Sequence, residues 1–157
     1  MRKTLFVILL LVGFLSLSGQ DILKGKATNV YDGDTFTLMT TDEKEIKIRI
    51  VGIDAPEAKQ DYGIRSRDYA RSILDGKQVT VYLEPGETYG RKLGIVITED
   101  GLHFNYEMVA GGYAWFYDDY SDDKYLEAAF KKAKKEKLGL WATDNPVAPW
   151  IWRRNNR

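Results

Sequence analysis

The sequence predicts an α+β fold in which five short strands form a Greek-key β-barrel, with three α-helices between and after the strands. Short runs of alternating apolar and polar residues, separated by turn residues, are typical of strands in an antiparallel sheet with one buried face. Three other segments carry apolar residues at helical spacing. Periodicity does not give the order of the strands, so other α+β arrangements stay open at this point.

The predicted strands cover residues 25–31, 35–39, 46–51, 78–83 and 92–98. Successive side chains of a strand point to opposite faces of its sheet. In the third strand, Ile46, Ile48 and Ile50 therefore share one face, and Arg49 lies on the other. Arg49 is expected to point away from this apolar row.

The predicted helices cover residues 64–74, 106–110 and 122–138. The third has the clearest pattern, because its apolar residues form one stripe: Leu126, Ala129, Phe130 and Ala133. Ser121 is the expected N-cap of this helix, and Gly139 is its expected end. Asn105 is the expected N-cap of the second helix.

The two ends of the chain differ from the segment between them. Arg2 and Lys3 precede an apolar run at 5–15 and then small residues, which is typical of a secretory signal peptide over 1–19. A membrane anchor is the alternative, but a spanning helix needs about 20 apolar residues. We expect a domain at 20–142 and a tail at 143–157 that is either an extended segment on the domain or a disordered end.

Composition limits the classes of site and partner. A chain of 157 residues with 44% hydrophobic content is one domain, and without the predicted leader it has 21 basic and 23 acidic side chains. Residues 131–157 contain eight basic and two acidic residues, which favours either a polyanion-facing region or a solvated helix face. With no cysteine and one histidine, zinc, copper and iron sites of the usual kinds are disfavoured.

Two turns carry carboxylates: Asp-Gly-Asp-Thr at 32–35 and Asp-Ala-Pro-Glu at 54–57. Either one alone is compatible with an ordinary tight turn. Together, at the end of one sheet, they offer several oxygen ligands to a hard cation such as Ca²⁺. The pair therefore indicates a candidate cation site.

Four spaced motifs carry a resemblance to a known family: Asp-Gly-Asp-Thr at 32–35, Arg-Ile-Val-Gly-Ile-Asp-Ala-Pro-Glu at 49–57, Tyr-Gly-Arg at 89–91 and Ala-Lys-Lys-Glu-Lys-Leu-Gly-Leu-Trp at 133–141. In this order, they resemble the staphylococcal nuclease (thermonuclease) family over nearly the whole chain after the leader. The ending at 145–153, Asn-Pro-Val-Ala-Pro-Trp-Ile-Trp-Arg, is similar to that of many bacterial members. The resemblance implies a five-stranded OB-type barrel with three helices.

The resemblance also implies a site and a reaction. It assigns Ca²⁺ to the carboxylates of Asp34 and Asp54 and the carbonyl of Ala55, with Thr35 in support. The catalytic residues would be Glu57, which activates or orients the attacking water, and Arg49 and Arg91, which clamp the phosphate. A guanidinium suits that role because its paired donors fit phosphate oxygens and it keeps its charge. The implied activity is hydrolysis of DNA and RNA phosphodiesters, in single-stranded or locally opened substrates, with low sequence specificity.

Departures from the family pattern concern substrate binding. Position 55 is Ala where the best-known member has Thr, which a carbonyl ligand tolerates. Thr88 stands where the family commonly has a basic residue, so one phosphate-contacting cation is missing there. Tyr89 and Tyr117 are candidates for stacking on bases, with packing as the alternative for each. The single histidine, His103, lacks partner ligands, and we expect a structural role for it.

Three functions are compared at this point. An active nuclease needs the metal carboxylates and both arginines, and all of these positions are filled. A catalytically inactive OB-barrel module would bind nucleic acid or a protein partner without turnover. An exported structural or adhesive domain would need no such charge cluster. We therefore predict a calcium-dependent enzyme, secreted or periplasmic after leader cleavage, monomeric and without stable membrane association.

Overall fold

The structure, a computed structural model, describes residues 20–156; the predicted leader at 1–19 lies outside them. The strands are β1 Ile22–Thr28, β2 Thr35–Thr40, β3 Glu45–Ile50, β4 Ile53–Asp54, β5 Gln78–Thr88, β6 Arg91–Thr98 and β7 Trp115–Phe116. The α-helices are α1 Gly63–Leu74, α2 Phe104–Ala110, α3 Lys124–Lys135 and α4 Pro149–Asn155. Short 3₁₀ turns occur at Asp118–Tyr120 and Gly139–Ala142.

Five strands form a closed barrel in the order β1-β2-β3-β6-β5, which confirms the predicted five-stranded barrel. Strands β3 and β6 are parallel, whereas every other neighbouring pair in this barrel is antiparallel. The alternating runs are typical of antiparallel strands, and this parallel pair differs from that pattern. Alternation of apolar and polar residues reports which face of a strand is buried, not the direction of its neighbour.

The barrel interior fixes the register of β2 and β3. Phe36 lies opposite Ile48, and Leu38 lies opposite Ile46. Phe36, Leu38 and Ile48 are fully buried, and burying such a side chain stabilises the fold by about 1.5–3 kcal/mol. A slip of one residue would turn these side chains outward. Arg49, opposite Thr35, is thereby held off the apolar row, as predicted.

The N-cap of α2 differs from the prediction. His103 caps this helix, because its Nδ1 accepts a hydrogen bond from the Tyr106 N–H at 3.3 Å. Asn105 is buried one residue inside the helix instead, where its Oδ1 accepts from the Val96 N–H and its Nδ2 donates to the Val51 carbonyl. The cap position could not be chosen from sequence, because both residue types accept hydrogen bonds.

The third helix is also shorter than predicted. Asp123, and not Ser121, caps α3, because its carboxylate accepts from the N–H groups of Tyr125 and Leu126. The helix ends at Lys135, before the expected stop, and Lys137 already has a positive φ of 55°. The predicted apolar stripe is confirmed, since Leu126, Ala129 and Ala133 are buried (Phe130 is partly buried against the same core).

The tail contains a fourth helix, so the predicted helix count and the extended or disordered tail are wrong. Pro149 lies in the first turn of α4, where its fixed φ and missing N–H cost the helix nothing. The chain just before α4 is tied to the domain, because the Gln60 side chain donates to the Val147 carbonyl at 2.6 Å. Within residues 20–156, none of the helices has the length and apolar composition needed to cross a bilayer.

A second, two-stranded sheet joins this helix to the barrel. β4 pairs with β7, which places Asp54 opposite Trp115. The Trp115 ring packs edge-on against Trp141 and Trp150 at centroid distances of 4.5 and 5.5 Å. One aromatic cluster therefore supports both the strand that carries Asp54 and the first turn of α4.

Candidate functional site

Asp34 and Asp54 are brought together by a contact between the two predicted turns. The Asp34 Oδ2 atom accepts a hydrogen bond from the Ala55 N–H at 2.6 Å, and Asp34 Oδ1 accepts from Thr35 Oγ1 at 3.0 Å. Both carboxylates are buried. A side chain at Gly33 would overlap Ser66 Oγ, so a glycine is required for this close approach of the first turn to α1.

Arg49 joins the two carboxylates. Its Nη2 atom lies 3.0 Å from Asp54 Oδ1 and 3.3 Å from Asp34 Oδ2. Its Nη1 atom donates to the carbonyls of Ile50 at 2.7 Å and Ile53 at 3.0 Å. Because one nitrogen contacts both acids, the two carboxylates face the same small volume.

A second guanidinium reaches this volume from α4. Arg153 Nη2 donates to Asp54 Oδ2 at 2.8 Å, while Nη1 donates to Asp54 Oδ1 at 3.1 Å and to Glu57 Oε1 at 2.9 Å. The sequence analysis assigned no role to Arg153. The available signals were its place in the basic segment 131–157 and at the end of the motif at 145–153, but neither showed which residue it would contact.

Burial is the main influence on the ionisation of the acidic side chains at the site. Burial raises the pKa of Asp54, the hydrogen bond from Arg153 opposes this shift, and the charge of Asp34 adds to it. Burial and then the Asp34 carboxylate raise the pKa of Asp32 to about 8. Burial and the charge of Asp34 thus disfavour ionisation of both Asp32 and Asp54, and a cation bound to these turns would oppose that shift.

The donor set suits a hard cation. Within the described part of the chain, no three His, Cys, Asp or Glu side chains form a metal-binding group. The oxygen donors that the resemblance assigns to a cation are the carboxylates of Asp34 and Asp54, with the Ala55 carbonyl from the same turn as Asp54, and water would complete the shell. Ca²⁺ accepts six to eight oxygen ligands in flexible geometry and tolerates this arrangement.

Glu57 lies at the rim of the site. Its side chain is 32% exposed, in contrast to 1% for that of Asp54. The turn that carries Glu57 is fixed by a hydrogen bond from its backbone N–H to Gln60 Oε1 at 3.2 Å. Glu57 therefore has access to solvent while it shares Arg153 with Asp54.

Arg91 is not brought into contact with this cluster. It begins β6, beside Lys92, which lies opposite Ile48 of β3. Its Nε donates to the Thr88 carbonyl at 3.2 Å, and it forms no ion pair with any residue from 20 to 156. The Arg91 guanidinium lies 5.8 Å from the ring centroid of Tyr89.

The two candidate stacking tyrosines have different surroundings. Tyr89 is 95% exposed, at the turn between β5 and β6. Tyr117 instead stacks on Trp150 of α4, with centroids 5.0 Å apart and planes within 2° of parallel. Tyr120 packs against Tyr117 as well, at 4.6 Å and 50°. Tyr89 thus offers a free ring face, whereas protein rings already cover much of Tyr117.

Comparison with known proteins gives consistent relatives. Residues 47–143 match the family model described as "Staphylococcal nuclease homologue". A protein of Escherichia coli O157:H7 described as "Uncharacterized endonuclease" is 42% identical over 153 residues, which is 98% of each chain. A Haemophilus influenzae protein with the same description is 35% identical, over 99% of this chain and 88% of that one. A staphylococcal-like nuclease of Arabidopsis thaliana is 35% identical over 73% of this chain, which spans 35% of the plant protein.

The matched segment covers most of the described domain, and it contains Arg49, Asp54, Glu57 and Arg91. Asp34 precedes that segment but lies within the alignment to the Escherichia coli relative, which spans nearly the whole chain. The barrel order and the relatives agree with the motifs on which the sequence resemblance was based. The chain belongs to the staphylococcal nuclease family.

Proposed function

We propose that this protein is a calcium-dependent nuclease that hydrolyses the phosphodiester bonds of DNA and RNA with low sequence specificity. The observation that carries the proposal is the convergence of Asp34 and Asp54 on one nitrogen of Arg49, with Glu57 joined to Asp54 through Arg153. This arrangement combines a cation site, a solvent-accessible carboxylate and guanidinium groups. Family membership and the nuclease names of the relatives support the same activity.

Each side chain has a distinct task in this proposal. Glu57 orients or deprotonates the attacking water, for which its exposure and its place at the rim are suitable. Arg49 and Arg91 bind the non-bridging phosphate oxygens, on which negative charge accumulates during attack. Two backbone carbonyls and both carboxylates hold Arg49, so its orientation is fixed before substrate binds. Arg91 lies on the exposed hairpin and completes the clamp from the side of β6.

The residues that would hold calcium are Asp34 and Asp54, with the carbonyl of Ala55. A bound Ca²⁺ would polarise a phosphate oxygen and offset its negative charge. The buried carboxylates would supply charge for the ion, and the Ala55 N–H would keep Asp34 in a single orientation. Thr35 supports the same orientation from the other carboxylate oxygen.

The substrate is proposed to be single-stranded or locally opened nucleic acid. Exposed Tyr89 next to Arg91 offers a stacking face beside a phosphate contact, a combination that does not depend on base identity. Tyr117 is proposed as a second contact at the edge of its stack with Trp150. We also propose that the chain acts as a monomer outside the cytoplasm after removal of residues 1–19, without stable membrane association.

A second candidate is a catalytically inactive barrel that binds nucleic acid or a protein. One observation favours it: Arg153 occupies carboxylate oxygens of both Asp54 and Glu57. If Arg153 stayed there permanently, calcium and water would be displaced and only binding would remain.

Circular single-stranded DNA distinguishes the two candidates. We expect the purified chain without residues 1–19 to convert the circle to linear and then to short products in Ca²⁺, and to degrade single-stranded RNA as well. Cleavage should decrease as salt concentration rises, because phosphate contacts are screened. The Glu57→Gln variant, prepared in parallel, controls for a contaminating nuclease. Retention of intact circles that are nevertheless bound by the protein would support the binding module instead.

A further inference from the structure

Arg153 contacts the acidic side chains of the site, but the proposed function assigns it no task in the reaction. It makes three hydrogen bonds to two acidic side chains, and each lies within 3.1 Å. No other arginine within residues 20–156 forms ion pairs with both Asp54 and Glu57. A contact this specific, from a helix near the end of the chain, suggests a role in the site itself.

The helix that carries Arg153 is anchored on the domain. Trp150 stacks on Tyr117 and packs edge-on against Trp115. The Val147 carbonyl is held by Gln60 in the turn that follows Glu57. Arg153 is therefore attached to the domain independently of its ion pairs, and its guanidinium can move while α4 stays in place.

The ion pairs of Arg153 conflict with calcium binding. Both oxygens of Asp54 accept hydrogen bonds from Arg153, and Oδ1 also accepts from Arg49. A calcium ion on Asp54 would have to share these oxygens with a positive charge at hydrogen-bond distance. The Arg153 side chain is 37% exposed, whereas that of Asp54 is 1% exposed, so Arg153 reaches Asp54 from the solvent side and has room to move outward.

We propose that Arg153 is a mobile substrate-binding residue of the active site. Without metal its positive charge lies against Asp54 and Glu57, and when calcium binds Asp54 it moves to the substrate phosphate. The second half of this proposal rests on the proposed nuclease function. The move releases Glu57 to act on water and adds a third guanidinium to the phosphate clamp of Arg49 and Arg91.

The β5–β6 hairpin offers few positive charges to a substrate phosphate, so a further cation would be useful. Thr88 offers no positive charge and Lys92 is paired with Glu87, so Arg91 is the cation of this hairpin that forms no ion pair within residues 20–156. Arg153 would add a further cation from α4. Its planar donor fork fits a phosphate as well as it fits a carboxylate, so the two partners can be exchanged.

Calcium titration of the substrate-free protein tests the first half of the proposal. We expect the Arg153→Gln variant to bind Ca²⁺ about tenfold more tightly than the parent, because a competing positive charge is removed from Asp54. The Arg154→Gln variant is the matched control, since Arg154 is its exposed neighbour on α4. Isothermal titration gives the affinity, and near-UV circular dichroism of the aromatic cluster, which includes the stack of Trp150 on Tyr117, reports whether α4 remains packed.

Steady-state kinetics on single-stranded DNA at saturating Ca²⁺ test the second half. We expect KM to rise about tenfold or more in Arg153→Gln, because one charge-assisted contact to phosphate is lost. In Arg154→Gln, KM should stay within about twofold of the parent. The Arg153→Lys variant keeps the charge without the planar fork, and its KM should lie between those of the parent and Arg153→Gln.

The outcomes separate this proposal from its alternatives. Unchanged or weaker calcium affinity in Arg153→Gln, with α4 still packed, would overturn the exchange and leave Arg153 as a structural ion pair. Unchanged KM would overturn its contact with substrate. If Arg153→Gln does not fold, the same two measurements on Arg153→Lys test the proposal. We then expect a smaller gain in calcium affinity and a smaller rise in KM. If the parent does not cleave, the nuclease function fails, whereas the calcium titration still tests the competition.

Discussion

Replacement of Glu57 by Gln is expected to lower the turnover number about 10²- to 10⁴-fold, the usual contribution of a positioned general base. Glutamine has the same shape, and its amide oxygen can still accept the hydrogen bond that Glu57 Oε1 accepts from Arg153. The backbone N–H of residue 57 keeps its bond to Gln60. The loss should therefore appear in catalysis and not in folding.

The measurement is a comparison of kcat, calcium affinity and Tm for the parent and Glu57→Gln. The Glu99→Gln variant is the control, because Glu99 is an exposed acid just past the end of β6, at the opposite end of that strand from Arg91. We expect it to change none of the three quantities. Equal kcat for the parent and a folded Glu57→Gln protein would remove Glu57 from the mechanism.

Replacement of Arg49 by Met is expected to lower the turnover number about 10²- to 10³-fold, since one preorganised donor to the developing charge is lost. It should also destabilise the fold, because Arg49 is paired with both Asp34 and Asp54 in a buried site. Breaking a buried ion pair on one side typically costs about 3–5 kcal/mol. Here Arg153 still pairs with Asp54, so we expect about 3 kcal/mol at most.

Arg91→Met is the matched variant for this prediction. It should lose turnover to a similar degree, but with little loss of stability, because Arg91 makes no ion pair within residues 20–156. Urea unfolding measured in chelator and in Ca²⁺ separates the two effects. Calcium should restore part of the stability lost in Arg49→Met, since a dication replaces the missing charge. Equal destabilisation by both variants would contradict the difference in their contacts.

The barrel and much of the site were predictable from sequence because they depend on local patterns. The alternation of Ile46, Ile48 and Ile50 fixes the buried face of β3 and, by the same rule, the opposite direction of Arg49. The two carboxylate turns follow strands, so their meeting at one end of the sheet was a reasonable expectation. In the structure, the two turns contact each other through a hydrogen bond from the Ala55 N–H to the Asp34 carboxylate.

Other features depend on packing between distant segments. The sequence could not give the parallel pairing of β3 with β6, because strand periodicity is the same in both directions. The stack of Trp150 on Tyr117 holds the tail helix against the domain, and in this position Arg153 contacts a carboxylate 99 positions earlier in the chain. Neither a propensity nor a motif specifies such a contact, so Arg153 had to be found in the structure.

Calcium dependence of cleavage tests the central claim, that Asp34 and Asp54 hold the ion on which hydrolysis depends. The measurement is the initial rate of cutting of a short single-stranded DNA, labelled at both ends, in Ca²⁺, in Mg²⁺ and in chelator. The parent should cut in Ca²⁺, cut weakly or not at all in Mg²⁺, which demands tighter octahedral geometry, and stop in chelator. Asp34→Asn should need far more Ca²⁺ for the same rate. Cleavage that continues unchanged in chelator, or no cleavage by the folded parent in any of the three, would contradict the account.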